Sequence, residues 1–170
     1  DWVDRPEFPR AATLLSALDG DVKRFLKNFW SKKSPGGTDY SVLMTLAMAA
    51  SYDPGDDPEQ PIRLPFDLHT LALDEERWGN WLQHDPLNLL DSYAEQLAAL
   101  ELLYIDVGCR DQYNIQYGTR AFVKRLEKLG IGHHFEEFDG SHSGMDWRLD
   151  ISLPMLAKAL SKDEGADGPQ

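Results

Sequence analysis

The sequence predicts an α/β chain in which few parallel strands, clearest at 102–107 and 131–138, are flanked by about six helices. Three observations predict it. Leu102-Leu103-Tyr104-Ile105-Asp106-Val107 is a short apolar run, the composition of an interior strand of a parallel sheet. Residues 114–129 carry Ile115, Phe122, Leu126 and Leu129 at helical spacing as the inward face, with Gly130 as the stop. Residues 131–138 form a second strand, mixed in polarity and so nearer an edge. Strand, helix and strand of these lengths make a right-handed parallel crossover.

The chain of 170 residues suits one domain, and 42% hydrophobic with 11% aromatic content is globular. A formal net charge of -12 argues against nucleic acid, whose phosphates need Lys and Arg, and against anionic membrane surfaces. No apolar run approaches the roughly 20 residues that span a bilayer. The opening Asp1-Trp2-Val3-Asp4-Arg5 has no signal-peptide pattern and no initiating Met, so a processed, trimmed or excerpted chain is expected. One cysteine, Cys109, rules out an internal disulfide framework and points to a reducing, cytoplasmic compartment.

From the amino terminus, residues 9–18 read as a helix that stops at Asp19-Gly20. Asp21 caps a second helix to Trp30, with Val22, Phe25, Leu26 and Phe29 on one side and Lys23, Arg24 and Lys27 on the other. Ser34-Pro35-Gly36-Gly37 is a loop, after which Thr38 or Asp39 caps residues 40–51. That segment is apolar nearly all round, which predicts complete burial, and its Ala, Leu and Met content favours helix. Residues 53–65 hold prolines and acids and are expected as a surface excursion. Asp74 starts a helix with Glu75 and Glu76 in its first turn and Trp78, Trp81 and Leu82 on its apolar side. Pro86 starts another, predicted to run through 87–100. After the second strand come a helix at 150–160 and a polar tail, 161–170, expected to fray. The organisation expected is a single domain over 1–160, with a helical insertion at about 38–90 and a strand-helix-strand-helix part at 90–160.

A parallel pair leaves an apolar sheet edge unpaired, so a separate chain, a removed segment or a swapped copy is expected to supply further strands.

The chemistry concentrates after the two strands. Gly108-Cys109-Arg110-Asp111 follows the first, and Asp139-Gly140-Ser141-His142-Ser143-Gly144 follows the second. Loops at the carboxyl ends of adjacent parallel strands bring such groups together, and a carboxylate holding one ring nitrogen leaves the other free to take a proton. Asp111 and His142 are therefore the candidate acid and base, against the plainer readings of a turn aspartate and an uninvolved loop histidine. Asp106 lies inside a strand and is expected to bond nearby backbone or a helix N-terminus. His133-His134 places its rings on opposite faces, so no shared metal is expected, and with one cysteine no zinc site. His84-Asp85 reads as a helix end, and Cys109 as a packed thiol before a nucleophile. The nearest string to a G-x-S-x-G elbow is centred on His142, so Ser141 and Ser143 are loop residues and no nucleophile is found.

At these residues the chain resembles the carboxyl-terminal part of the esterase family of α/β-hydrolases that comprises esterase D, which is S-formylglutathione hydrolase, and the enterochelin-esterase-like enzymes. The resemblance rests on Ile105-Asp106-Val107-Gly108 leading to Asp111-Gln112-Tyr113, on Leu129-Gly130-Ile131, and on Phe138-Asp139-Gly140-Ser141-His142-Ser143. It covers residues 90–160, with 40–90 resembling the family's variable insertion less specifically. It implies the carboxyl-terminal portion of an α/β-hydrolase fold, with Asp111 as triad acid and His142 as general base. The family's amino-terminal strands, oxyanion loop and serine have no counterpart here, which implies a fragment beginning just beyond the nucleophile.

Two functions are thus expected. One is the carboxyl-terminal half of a serine esterase acting on small acyl esters without a cofactor, completed by the amino-terminal half or a swapped copy and inactive alone. Phe66, Trp78, Trp81 and Tyr113 then either line its pocket or pack in the core. The other is a non-catalytic binding or assembly module derived from such an enzyme.

Overall fold

The computed structural model describes residues 7–58 and 61–161, so the opening residues 1–5 and nearly all of the expected tail lie outside the described residues. The described residues are mixed α/β, with eight helices and one two-stranded parallel sheet. They form two compact units, one ending at Asp85 and the other starting at Pro86. No helix among them is long and apolar enough to cross a membrane.

The first unit is helical: α1 (Glu7–Ser16), α2 (Val22–Ser31), α3 (Gly37–Tyr52) and α4 (Glu75–Leu82). After α1 the chain turns through left-handed Asp19 (φ 56) and Gly20 (φ 74), and the Gly20 N–H donates to the Leu15 carbonyl at 2.9 Å. Asp21 caps α2 by accepting from the Arg24 N–H at 2.8 Å. The N-cap of α3 is Gly36, and Asp39, three residues on, reaches back to accept the Gly36 N–H at 2.8 Å. Lys32 donates to the same carboxylate at 2.5 Å, and these two bonds hold Asp39 below the usual carboxylate range.

Leu15, Phe25, Val42, Leu46 and Trp81 form the core of this unit, with Phe8 stacked on Phe66 at 4.5 Å. Complete burial of α3 does not occur. Val42, Leu46 and Ala49 are buried, but Tyr40 and Met44 are 55% and 61% exposed, because the neighbouring helices cover only one side of it. The excursion at 53–65 is also less superficial than expected. Pro54 bridges Ile62, Pro65 is fully buried, and Asp53 is buried against Asn80, Arg63 and Arg77. Residues 59 and 60 lie outside the described residues.

The second unit holds α5 (Pro86–Leu89), α6 (Ala94–Ala98), β1 (Tyr104–Gly108), α7 (Ile115–Leu129), β2 (His134–Phe138) and α8 (Leu149–Leu160). The helix predicted across 87–100 is two short ones. Between them Asp91, a weak helix former, turns to pair with both nitrogens of the Arg125 fork on α7.

β1 and β2 run parallel, with Tyr104 opposite His134 and Gly108 opposite Phe138. β2 starts three residues later than predicted because its expected first residue closes α7. Gly130 is left-handed (φ 70), its N–H donates to the Glu127 carbonyl and the Ile131 N–H to Leu126, which is a Schellman closure. Ile131 is buried with Leu90 and Leu126, where Leu103, Ile105 and Phe122 pack.

Gln116, Thr119, Val123 and Leu126 are the buried residues of α7, whereas Leu129 is 41% exposed. Two polar residues on the covered stripe hide it from a pattern of apolar residues alone. Thr119 satisfies its hydroxyl on the Ile115 carbonyl at 3.0 Å.

Candidate functional site

The β1–α7 loop and the loop after β2 meet at the carboxyl ends of the two strands. Backbone pairing continues past the strands: the Cys109 N–H donates to the Phe138 carbonyl and the Arg110 N–H to Gly140, both at 2.9 Å. The contact is close because Gly108 has no side chain. A Cβ there would stand 2.6 Å from the Gly140 oxygen and 2.9 Å from the Ser141 oxygen.

The loop then turns tightly. The Asp111 N–H donates to the Gly108 carbonyl and the Asn114 N–H to the Asp111 carbonyl, both at 3.1 Å, and Asn114 enters α7 in the left-handed region (φ 60). This turn aims the Asp111 side chain at the β2 loop.

His142 Nδ1 lies 2.9 Å from Asp111 Oδ2. The Asp111 side chain is 3% exposed and that of His142 is 47% exposed. The other carboxylate oxygen accepts the Tyr113 N–H at 2.8 Å. An ionised carboxylate only accepts, so in the neutral ring Nδ1 carries the proton and Nε2 presents its lone pair. Nε2 has no hydrogen-bond partner among the described residues. Tyr113 meets the ring edge to face, with centroids 5.0 Å apart.

No known protein-family profile and no curated protein matches the chain. The chemistry of the site therefore rests on its geometry.

Asp106, expected to bond backbone or a helix N-terminus, does neither. Arg148, in the 3-10 turn Asp146–Arg148 and 4% exposed, donates from Nε to Asp106 at 2.8 Å. Its terminal nitrogens bond Glu136 at 3.1 and 2.5 Å and the Tyr104 hydroxyl at 2.8 Å. The guanidinium also lies 4.8 Å over the rings of Phe138 and Trp147. The Glu136 bonds, and secondarily the Asp106 bond, push the Arg148 pKa further up, while Arg148 holds Glu136 below its ordinary value. Sequence reasoning missed Arg148. Its only trace was a pair of strand-interior carboxylates, Asp106 and Glu136, whose opposite register demands a cation on that face.

Phe66 and Trp81 are buried in the first unit, with Trp78 packed beside them, and within the second unit Tyr113 lies against His142. His133 bonds the Ile131 carbonyl at 2.9 Å, and His134 stacks on Tyr104 at 5.1 Å. His84 follows α4 and stacks on Tyr52 at 4.9 Å. Cys109 is partly buried, its Sγ 3.7 Å from Asp139 Oδ1. Among the described residues no group of three or more His, Cys, Asp or Glu side chains could hold a metal ion.

Proposed function

We propose that the chain is the carboxyl-terminal portion of an α/β-hydrolase, contributing acid and base to a Ser–His–Asp ester hydrolase. The observation that carries this reading is the bond from a half-open His142 ring to a buried Asp111, 2.9 Å long, with Nε2 unoccupied. In the complete enzyme a serine from polypeptide outside this sequence attacks the acyl carbon of a small ester and loses its proton to Nε2. Asp111 stabilises the imidazolium, which then protonates the departing alcohol. Water, deprotonated by the same nitrogen, attacks the acyl-serine, and the imidazolium returns the proton to the serine oxygen as the acyl–oxygen bond breaks and the acid leaves. No cofactor enters this chemistry, and the lone Cys109 suits a cytoplasmic setting.

The partner is the amino-terminal half of the same fold, or a swapped copy, added to the outer edge of β1. The Leu103 carbonyl and Cys109 N–H serve the β2 side, so strand alternation turns the backbone groups of Tyr104 and Asp106 to the other edge. β2, with Glu136 and Glu137, has the charges of a terminal strand.

A second reading, a non-catalytic assembly module, draws on α8. No residue of that helix is buried, and Leu149, Leu153, Leu156 and Leu160 are exposed at 4-3-4 spacing. Assay with p-nitrophenyl acetate separates the two. Hydrolysis that needs the amino-terminal half and vanishes in His142→Ala supports the enzyme. Stable folding with no hydrolysis in either form supports the module. An upstream reading frame lacking a G-x-S-x-G after a strand also sinks the esterase.

A further inference from the structure

The loop carrying His142 is tied within itself by Ser141 Oγ, which accepts the Ser143 N–H at 3.3 Å and donates to the Ser143 carbonyl at 3.4 Å, but neither bond reaches the His142 peptide. The loop runs Gly140-Ser141-His142-Ser143-Gly144, and Gly144 is left-handed (φ 67). A single bond at Nδ1 fixes where one ring atom lies but leaves the peptide behind it free to move. The structure supplies a second point of attachment. Gln112 Oε1 accepts the His142 backbone N–H at 3.1 Å, and its Nε2 donates to Ser143 Oγ at 3.4 Å. Three consecutive residues thus grip one histidine in three ways: Asp111 at the ring nitrogen, Gln112 at the peptide and Tyr113 at the ring face.

We infer that Gln112 is the positioning residue of the site, fixing the His142 peptide so that the ring keeps Nδ1–H on Asp111 and Nε2 free. The side chain is exposed and outside the core, so its bonds to the β2 loop are its structural contribution. The amide matches the task, since its oxygen must accept from a backbone N–H while its nitrogen donates to a hydroxyl. The inference rests on the reading of His142 as general base, but its test requires neither ester nor partner half.

The test is ¹⁵N NMR of the imidazole of His142, together with amide hydrogen exchange, in the full chain. In the unsubstituted protein the neutral ring should be the Nδ1–H tautomer and the His142 amide should be protected. Gln112→Met keeps the length of the side chain and removes the acceptor. It should lower the ratio of Nδ1–H to Nε2–H forms roughly five-fold, the scale of one hydrogen bond, and abolish amide protection. Gln112→Glu restores an acceptor at the same reach and should recover both. Wild-type tautomer ratio and protection in Gln112→Met overturn the inference, and so does failure of Gln112→Glu to recover them. An unprotected His142 amide in the unsubstituted chain overturns it without any variant. Absent hydrolysis with a tautomer that still responds to Gln112 fails the esterase reading and leaves the positioning role standing.

Discussion

Gly108 and Gly140 touch backbone to backbone, so closely that a Cβ on Gly108 would stand 2.6 Å from the Gly140 carbonyl oxygen. The neighbouring atoms are main chain and cannot rotate away. Gly108→Ala must therefore separate the two loops, and Asp111 and His142 are borne by those loops. We predict a destabilisation of about 1–3 kcal/mol, the scale of overpacking. Urea unfolding gives the energy, and loss of the His142 Nδ1–H resonance reports the parted pair.

Arg148 is 4% exposed and bonds two carboxylates and a phenol. Arg148→Met keeps most of the packing volume and leaves Asp106 without its cation. The expected loss is roughly 3 kcal/mol, the low end for breaking a buried pair, because the Glu136 side chain is 41% exposed. An unchanged urea midpoint would show that Asp106 can be solvated in place.

Arg148 also sets a pH dependence. Its bonds to Glu136 lower that carboxyl from the ordinary 4.5. The folded pKa lies below the unfolded one, so this contribution to stability is complete above the unfolded value and is lost as pH falls through the folded value. A ¹³C titration of Glu136 should give a midpoint below 4.5, moving upward in Arg148→Met. Equal midpoints in the two proteins would contradict the assignment.

Under the esterase reading, Asp111→Asn in the complemented enzyme should lower kcat roughly 10³–10⁴-fold with folding preserved, because the amide favours the wrong ring tautomer. A loss below tenfold in steady-state assays would remove Asp111 from the mechanism.

The two sides of α3 should respond differently. Leu46 is 1% exposed, and Leu46→Ala should cost about 3–5 kcal/mol through the cavity it leaves. Met44 is 61% exposed, and Met44→Ala should stay within about 0.5 kcal/mol. Comparable losses in thermal melts would mean that the outer face is covered in solution.

The legible parts of this chain were those where local chemistry decides. Asp21 caps a helix by itself and Gly130 ends one by itself, and the apolar run from Leu102 to Val107 marks a strand, although of that run only Val107 is buried and the rest is half-buried beside a single partner strand. The proximity of Asp111 and His142 was legible because two strands in parallel bring their following loops to one end. Partnership was not legible. The outer face of α3 has the composition of a core, and only the placement of its neighbours shows Tyr40 and Met44 exposed. The polar residues Gln116 and Thr119 occupy a covered stripe that an apolar period misses. Arg148 reaches Asp106 across 42 residues of sequence, a distance over which spacing carries no signal.

The parallel pairing of β1 with β2 also bears on the order in which the chain folds. A parallel pair has no hairpin to nucleate it, and its strands meet only after the crossover that contains α7 is in place. Helix formation is local and takes microseconds or less, whereas contacts between distant residues wait on loop closure. Asp111 and His142 are 31 residues apart. Their hydrogen bond is therefore expected late, after the helical signal has developed, and stopped-flow circular dichroism beside His142 NMR would reveal the lag. A chain interrupted before that step would have its helices and no site.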